Sequence, residues 1–450
     1  MRSRVAPFLR LGIAVLTIAI ALSPAMAQER GFDFAGVQRT RYESLDGQIL
    51  AGLDDPDDVL AFQTSLRFEA RLDHVRFVGE ILDSRAELND AGSFINNTVV
   101  NALEPLQAFV AWTPGDSERS NVGTLRFGRL TLDLGKRRVM SRNRFRNTVN
   151  NFVGADWERT NAGGGKLHAL YFLPMRHLPT DRASLLDNEF ELDRAARDTA
   201  VRGVFYQLPK LGHDNFIETY LLDYDADTSD AASSANFISV GARGYRPARP
   251  GQWNYEVELI AQAGESGGQV GGAPRFDLSH VASFAHFEVG YTFDRAWSPN
   301  ITLQYDRASG DDDPLDDRND RFNTLFGDRR FDFGPTGIFG PFNRSNLETP
   351  GVRVTLAPNR RWQGMLSLRS MRLASSTDEW VGTGLRDPSG AAGRSLGTQL
   401  EASVGWAVIP DRLSLDVGFA ALNLGRFARE TLPTQPGDPR YWYAAVTTTF

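Results

Sequence analysis

Cysteine is absent from the whole chain, and beyond the first 27 residues so is any long apolar run. The first absence excludes a disulfide framework, thiol catalysis and Cys-ligated metal centres, so stability has to come from burial and hydrogen bonding. The second excludes a helical membrane protein, because a spanning helix needs about 20 consecutive apolar residues. A membrane β-barrel is not excluded: its strands alternate apolar and polar side chains, so mean hydropathy stays that of a water-soluble chain, as it does here. Lysine is scarce too. Lys136, Lys166 and Lys210 are the three, and arginine supplies the rest of the 49 basic side chains. Arginine presents a planar fork that binds carboxylates through paired hydrogen bonds, so the bias would suit an acidic ligand; for the bias as a whole, codon usage in a G+C-rich genome is the preferred account.

Residues 1–27 read as a secretory signal peptide. Arg2, Arg4 and Arg10 make a basic start, LGIAVLTIAIAL is an apolar run too short to span a bilayer, and Ala25-Met26-Ala27 is an A-x-A cleavage site. The mature domain is then expected over 28–450. Without the three leader arginines it carries 46 basic and 56 acidic side chains, a net of −10 that speaks against nucleic-acid binding.

Period-two alternation runs along nearly all of the remainder. In AFQTSLRFEARLD, Phe62, Leu66, Phe68, Ala70 and Leu72 oppose Gln63, Ser65, Arg67, Glu69 and Arg71; RLSLDVGFAAL, GTQLEASVGWAV and HFEVGYTF repeat the pattern. Such segments are strands with one greasy and one wet face. Eighteen are expected, near 32–44, 60–72, 74–86, 105–113, 122–130, 152–159, 165–173, 199–208, 215–225, 236–246, 252–263, 284–294, 300–308, 350–357, 361–373, 396–408, 412–422 and 440–450. Short links (73, TNAGGG, PKLGHD, RPARPG, APNR, PD) take turns with long ones (87–104, 131–151, 174–198, 264–283, 309–349, 374–395). A soluble sandwich has no reason to do this. An outer-membrane barrel does, with short periplasmic turns and long external loops. The fold class expected is therefore all-β, a transmembrane antiparallel up-and-down β-barrel of about eighteen strands in the bacterial outer membrane. At that width side chains cannot fill the interior, so a channel is expected. The last stretch, YWYAAVTTTF, puts Trp442 and Phe450 on one face about 26 Å apart at roughly 3.3 Å per residue, close to the height of a barrel's apolar band between its aromatic girdles.

Two stretches carry a family likeness: GRLTLDLGKRRVMSRNRFRNTVNNFVGADW at 128–157, a Gly-Arg strand end followed by an Arg-studded loop, and QYDRASGDDDPLDDRNDRFNTLFGDRRFDFG at 304–334. With the terminal strand they resemble the alginate export family of outer-membrane porins. The resemblance implies a monomeric eighteen-stranded channel, without a cofactor, that passes an anionic polysaccharide outward through an electropositive constriction. Lipid and lipopolysaccharide would surround it, and a periplasmic export partner would be in keeping. A general or sugar-specific diffusion porin is the alternative. An outer-membrane lipid hydrolase is a second, since His168, His280 and His286 fall in or near strands.

Lys136, Arg137, Arg138, Arg142, Arg144 and Arg146 crowd one long link; folded inward, as the resemblance implies, they would line the pore and exclude cations. Arg129 falls on the face of Phe127 unless a bulge at Gly128 turns it inward. Arg39, Arg41, Arg67, Arg71, Arg353 and Arg369 lie on wet strand faces and are further pore-lining candidates. The acidic run DDDPLDDRND offers Asp311, Asp313, Asp316 and Asp317 as oxygen ligands for Ca²⁺. Counted from Asp311, however, the EF-hand pattern fails, with Asp316 where Gly is needed and no closing Glu, so an extended acidic loop facing solvent is expected there.

Overall fold

The computed structural model describes residues 31–450 except 51, 54, 115–121, 213, 230–232, 271–272 and 434–436. The leader expected over 1–27 lies outside the described residues. Eighteen strands form the wall: β1 Phe32–Asp46, β2 Asp57–Leu72, β3 Val75–Glu87, β4 Asn101–Trp112, β5 Gly123–Leu130, β6 Phe152–Thr160, β7 Lys166–Arg176, β8 Thr199–Gln207, β9 Phe216–Ala226, β10 Ala235–Arg246, β11 Gln252–Val270, β12 Ala273–Thr292, β13 Asn300–Ala308, β14 Leu347–Asn359, β15 Trp362–Arg372, β16 Ser395–Ile409, β17 Leu413–Leu424 and β18 Arg440–Thr449. Each pairs antiparallel with its sequence neighbours, and β1 pairs with β18 as well as β2, so the sheet closes. Closure leaves no row of unpaired backbone groups toward hydrocarbon, which could not satisfy them. A two-residue strand, Arg194–Ala195, touches only the end of β7.

The alternation read from sequence decides which side each strand shows to lipid. On β2, Phe68 and Leu72 are exposed and Glu69 is buried; on β17, Val417 and Phe419 are exposed and Ala420 and Leu422 buried; on β18, Trp442 and Val446 face out and Tyr441 and Tyr443 in. Outward aromatics gather at both rims. Tyr42 packs on Trp442 at the long-loop end. At the other end are the Trp362–Trp406 stack, Trp253 against Tyr291, and Phe34 with Phe68 and Phe450. Phe450 seals the closing seam, its backbone exchanging hydrogen bonds of 2.7 and 3.0 Å with Gly36 while its ring lies where any Gly36 side chain would stand.

One link departs from expectation. Of residues 264–283, read as a loop, 264–270 and 273–283 continue β11 and β12 as a paired ladder, with a register shift between Ser266 and Gly268. The other long links turn inward. Ile338, Phe339 and Phe342 from 309–346, Ile95 and Val99 from 88–100, Leu185 of a short helix, α1 (Arg182–Leu186), Trp380 from 373–394, and Phe427 of another short helix, α3 (Arg426–Thr431), pack with Leu45, Val59, Ala420 and Tyr441 of the wall. The external half of the lumen is thus narrowed by apolar packing, and the space left lies toward the short turns.

Candidate functional site

The loop 131–151 enters the lumen because its apolar residues fit the wall. Leu132, Leu134, Val139 and Met140 bury among Phe172, Val201, Phe205 and Phe284. Gly135 and Arg137 take positive φ (50° and 67°), and the reversal between them is tied by Arg137 N–H to Leu134 C=O at 2.7 Å. Farther on, Asn147 donates to the carbonyls of Phe62, Arg85 and Val99 and pins the loop across β2 and β3. The loop 309–346 joins it: Phe326 N–H donates to Val139 C=O at 3.0 Å and Asp328 N–H to Arg137 C=O at 2.8 Å, just ahead of a single helical turn, α2 (Arg330–Phe333).

Beneath the two loops is a cavity of about 650 Å³ whose lining includes Arg39, Arg41, Arg137, Arg144 and Arg330, with Asp328 and Asp416 as its carboxylates. Arg39 of β1 donates to the carbonyls of Arg144 and Arg146, both at 2.8 Å, and forms no ion pair among the described residues. A guanidinium stays protonated in proteins, so its charge faces the cavity without a carboxylate in contact, Glu43 and Asp416 acting on it only across space. Arg137 sits over the Phe331 ring at 5.1 Å and only 3.9 Å from Asp328. Arg144 is the most exposed, paired with Asp133 at 2.9 Å. Arg41 and Arg330 lie at 4.4 and 4.9 Å from the Phe145 ring and are paired with Glu43 and Glu401. Burial works against the charge on Arg330, but Glu401 and Tyr443 outweigh it and hold its pKa above the ordinary value. Next to this group Arg146 and Arg329 also lack a carboxylate partner among the described residues. Burial lowers both to about 10, Arg329 with help from Arg146, and both remain charged at neutral pH.

Several sequence candidates stand elsewhere. Arg138 is fully buried and clamped by Glu256 and Glu258 at 2.5 Å and Asp332 at 2.9 Å, so it rivets the loop to the wall and is withdrawn from the opening. Asp332 is shared with Arg344 at 2.6 Å; burial would raise its pKa, but Arg138 and Arg344 hold it well below the usual carboxylate range. Arg369 is equally buried, on Asp306 at 2.8 Å. Arg142 is held by Glu80, and Lys136 lies 3.6 Å from Glu256. Arg353 donates to Phe331 C=O at 2.6 Å and supports α2. Arg67 and Arg71 flank Glu69 at 3.0 and 2.8 Å near the periplasmic end. No bulge forms at Gly128, where the register of β5 is unbroken; Gly128 takes φ 132° instead, and Arg129 reaches Glu104 and, at 3.3 Å, Asp193. Asp328, Arg330, Phe331 and Phe145 were not singled out from sequence, although DRRFDFG and the Arg-Phe-Arg of the first loop contain them.

The acidic run does not converge. Asp311 is buried against Asp378, while the carboxylates of Asp313 and Asp316 cap the N–H groups of Leu315 and Arg318. Among the described residues, possible metal ligands come within 4.8 Å of one another at two other places, Asp156, Glu158 and His168, and His286, Asp306 and Asp332. Both are occupied by cations of the chain, Arg126 on Asp156 and Glu158, and Arg369, Arg138 and Arg344 on Asp306 and Asp332. The hydrolase alternative has one contact to its credit. Gly264-Glu265-Ser266-Gly267-Gly268 has nucleophile-elbow spacing, which the reading of the sequence passed over, and Ser266 Oγ is 3.3 Å from His280 Nδ1. Yet the motif lies in a β-ladder and not on a strand-to-helix turn. His280 Nδ1 is also 2.8 Å from the Asn319 carbonyl, an acceptor only, so that nitrogen carries the hydrogen and cannot take one from serine.

A closed barrel with lipid-facing aromatics at both rims and loops folded into a charged lumen is an outer-membrane channel of the porin type. Crystal structures of such porins are similar to it in fold: Pseudomonas aeruginosa OccK8 (OprE), at 14% identity and TM-score 0.59 over 93% of this chain and 98% of that one; Acinetobacter baumannii OccAB1, at 12% and 0.58 over 93% and 96%; and P. aeruginosa OpdK with vanillate, at 14% and 0.56 over 93% and 98%. No curated protein is similar enough to count as a relative. The family model for alginate export matches residues 31–438, and the chain belongs to that family.

Proposed function

We propose that this channel passes anionic sugars of the uronate type and that Arg39, Arg137, Arg144 and Arg330 form its selectivity element, with Arg146 and Arg329 behind them. The observation that carries the reading is the lining of the 650 Å³ cavity, five arginines against two carboxylates. Its volume falls within the roughly 300–1,000 Å³ of small-ligand sites. Walls of low dielectric strengthen the field of these cations on anything inside, attracting carboxylates and excluding cations. Several guanidiniums in succession suit transport better than one deep site, because cargo has to leave as readily as it enters. Carbonyl partners fix Arg39 without neutralising it, which makes it the strongest single contributor. That OpdK has been solved with vanillate, a carboxylate, supports an anion-reading lumen in this architecture. The channel acts as a monomer, without a cofactor, and flow follows the gradient of the cargo.

Current block in planar bilayers tests the cargo class. Uronate oligosaccharides are expected to interrupt the current of the refolded channel at concentrations where neutral dextrins of equal length do not, and Arg39→Ala is expected to weaken the block. Equal block by dextrins would support a general sugar porin instead.

A further inference from the structure

The lipid-facing wall carries charge where an apolar side chain would serve. At the external ends of β13, β14 and β15, Arg307, Glu348 and Arg372 stand side by side in register. All three point outward, because their neighbours Asp306, Ala308, Leu347, Thr349 and Met371 are buried on the inner side. Arg394, exposed just before β16, reaches Glu348 at 3.3 Å. Tyr305, the next outward residue on β13, lies in the field of all four charges. Three guanidiniums therefore share one carboxylate, and Arg307 and Arg372 form no ion pair among the described residues. Arginine on the lipid face is unfavourable, least so at the interface, where an anionic headgroup can meet it.

Beside Arg307 the wall is indented. Ala242, Ala261, Ser283 and Ala285 are small outward residues framed by Val240 and Leu259, and they leave an apolar groove of about 370 Å³ whose lining includes Arg307. A gap of this kind forfeits dispersion contacts that a lipid chain would restore. Cation cluster and groove adjoin, so one amphiphile could occupy both.

We propose that this is a binding site for a phosphorylated glycolipid of the lipid A class in the outer leaflet, with a phosphate monoester on Arg307, Arg372 and Arg394 and one acyl chain along the groove. The cluster is at the long-loop end, which faces that leaflet. A phosphate monoester carries about −1.5 to −2 charges, which complements three arginines less one glutamate better than the single charge of a phosphodiester. Guanidinium forks bind phosphate oxygens in pairs. The site is separate from the lumen and does not depend on which cargo passes.

The test titrates the refolded full-length channel in detergent with bisphosphorylated lipid A, its dephosphorylated derivative and phosphatidylglycerol, counting bound lipid by native mass spectrometry. One lipid A is expected to be retained in preference to the other two. Arg307→Gln should weaken it about fivefold and the double variant with Arg372→Gln about 25-fold. Filling the groove with Ala261→Leu and Ala285→Leu should weaken phosphorylated and dephosphorylated forms alike. Heat-modifiable gel mobility shows which variants are folded, and Arg372→Gln alone carries the charge test if Arg307→Gln does not fold. Equal retention of the dephosphorylated form, a preference for phosphatidylglycerol, or unchanged binding in the folded arginine variants would overturn the proposal.

Discussion

Replacing Arg138 by alanine should unseat the constriction while leaving the barrel intact. The guanidinium is wholly buried among Glu256, Glu258 and Asp332, and its removal leaves three carboxylates with Arg243, Arg344, Lys136 and the His286 ring to share. Removing one partner of a buried ionic cluster costs about 3–5 kcal/mol, because the charges left behind stay desolvated. At about 1.4 kcal/mol per tenfold, the seated loop loses a factor of about 10² to 4 × 10³ against unseated arrangements. The strand ladders do not involve Arg138, so heat-modifiable mobility should be unchanged. In single-channel recordings Arg138→Ala should give a larger, flickering conductance where the native channel is small and quiet, and trypsin should cut within 131–151. Acid sharpens the contrast. Asp332 is held well below the ordinary range in the folded protein, so its contribution is present above pH 4 or so and lost only as the pH falls through that depressed value. The native constriction should therefore stay seated at pH 4.5. In Arg138→Ala the carboxylates should protonate more readily, and the same pH should partly reseat the loop. An unchanged, quiet conductance and a protected loop in Arg138→Ala would refute this reasoning.

Three further outcomes are expected. Burial, reinforced by Asp378, pushes the Asp311 carboxyl up to about 6, so its contribution to the contact between loops 309–346 and 373–394 is full in acid and lost as pH rises through 6; once the intrinsic pH dependence of amide exchange is divided out, 373–394 should be better protected at pH 5 than at 7.5, and Asp311→Asn should abolish that difference in protection. Gly36→Ala should reduce the folded fraction on heat-modifiability gels, because its Cβ would come within 2.2 Å of the Phe450 ring, whereas Gly79→Ala, with nothing within 4 Å, should behave as wild type. Asn147→Ala should release 131–151 from β2 and β3 by breaking hydrogen bonds to three backbone carbonyls, at about 0.5–1.5 kcal/mol each, and accelerate trypsin cleavage there.

The wall was legible in the sequence because strand alternation is local. Phe68 against Glu69, or Trp442 against Tyr443, is decided by adjacent residues, and apart from the extended β11 and β12 the eighteen strands lie close to where the period places them. Glycine misled the reading at 264–283: GESGGQVGGAPR has the composition of a turn, yet the two strands stay paired as far as Gly268 with Arg275 and Val270 with Ala273. What the loops do was legible only as charge. Arg138 and Asp332 are 194 residues apart, and Glu43 meets the Ile338 N–H across 295. No spacing rule reaches that far, so sequence could count the arginines of 136–146 but not divide those that rivet the loop, such as Arg138, from those that face the cavity, such as Arg137 and Arg144.

The central claim is tested most directly by the reversal potential of the refolded channel under a KCl gradient, native against Arg39→Ala, Arg137→Ala and the double variant. The account predicts anion selectivity in the native channel, reduced by each substitution and close to lost in the double variant, with the barrel folded throughout. Cation selectivity in the native channel, or a reversal potential that neither substitution moves, would contradict it.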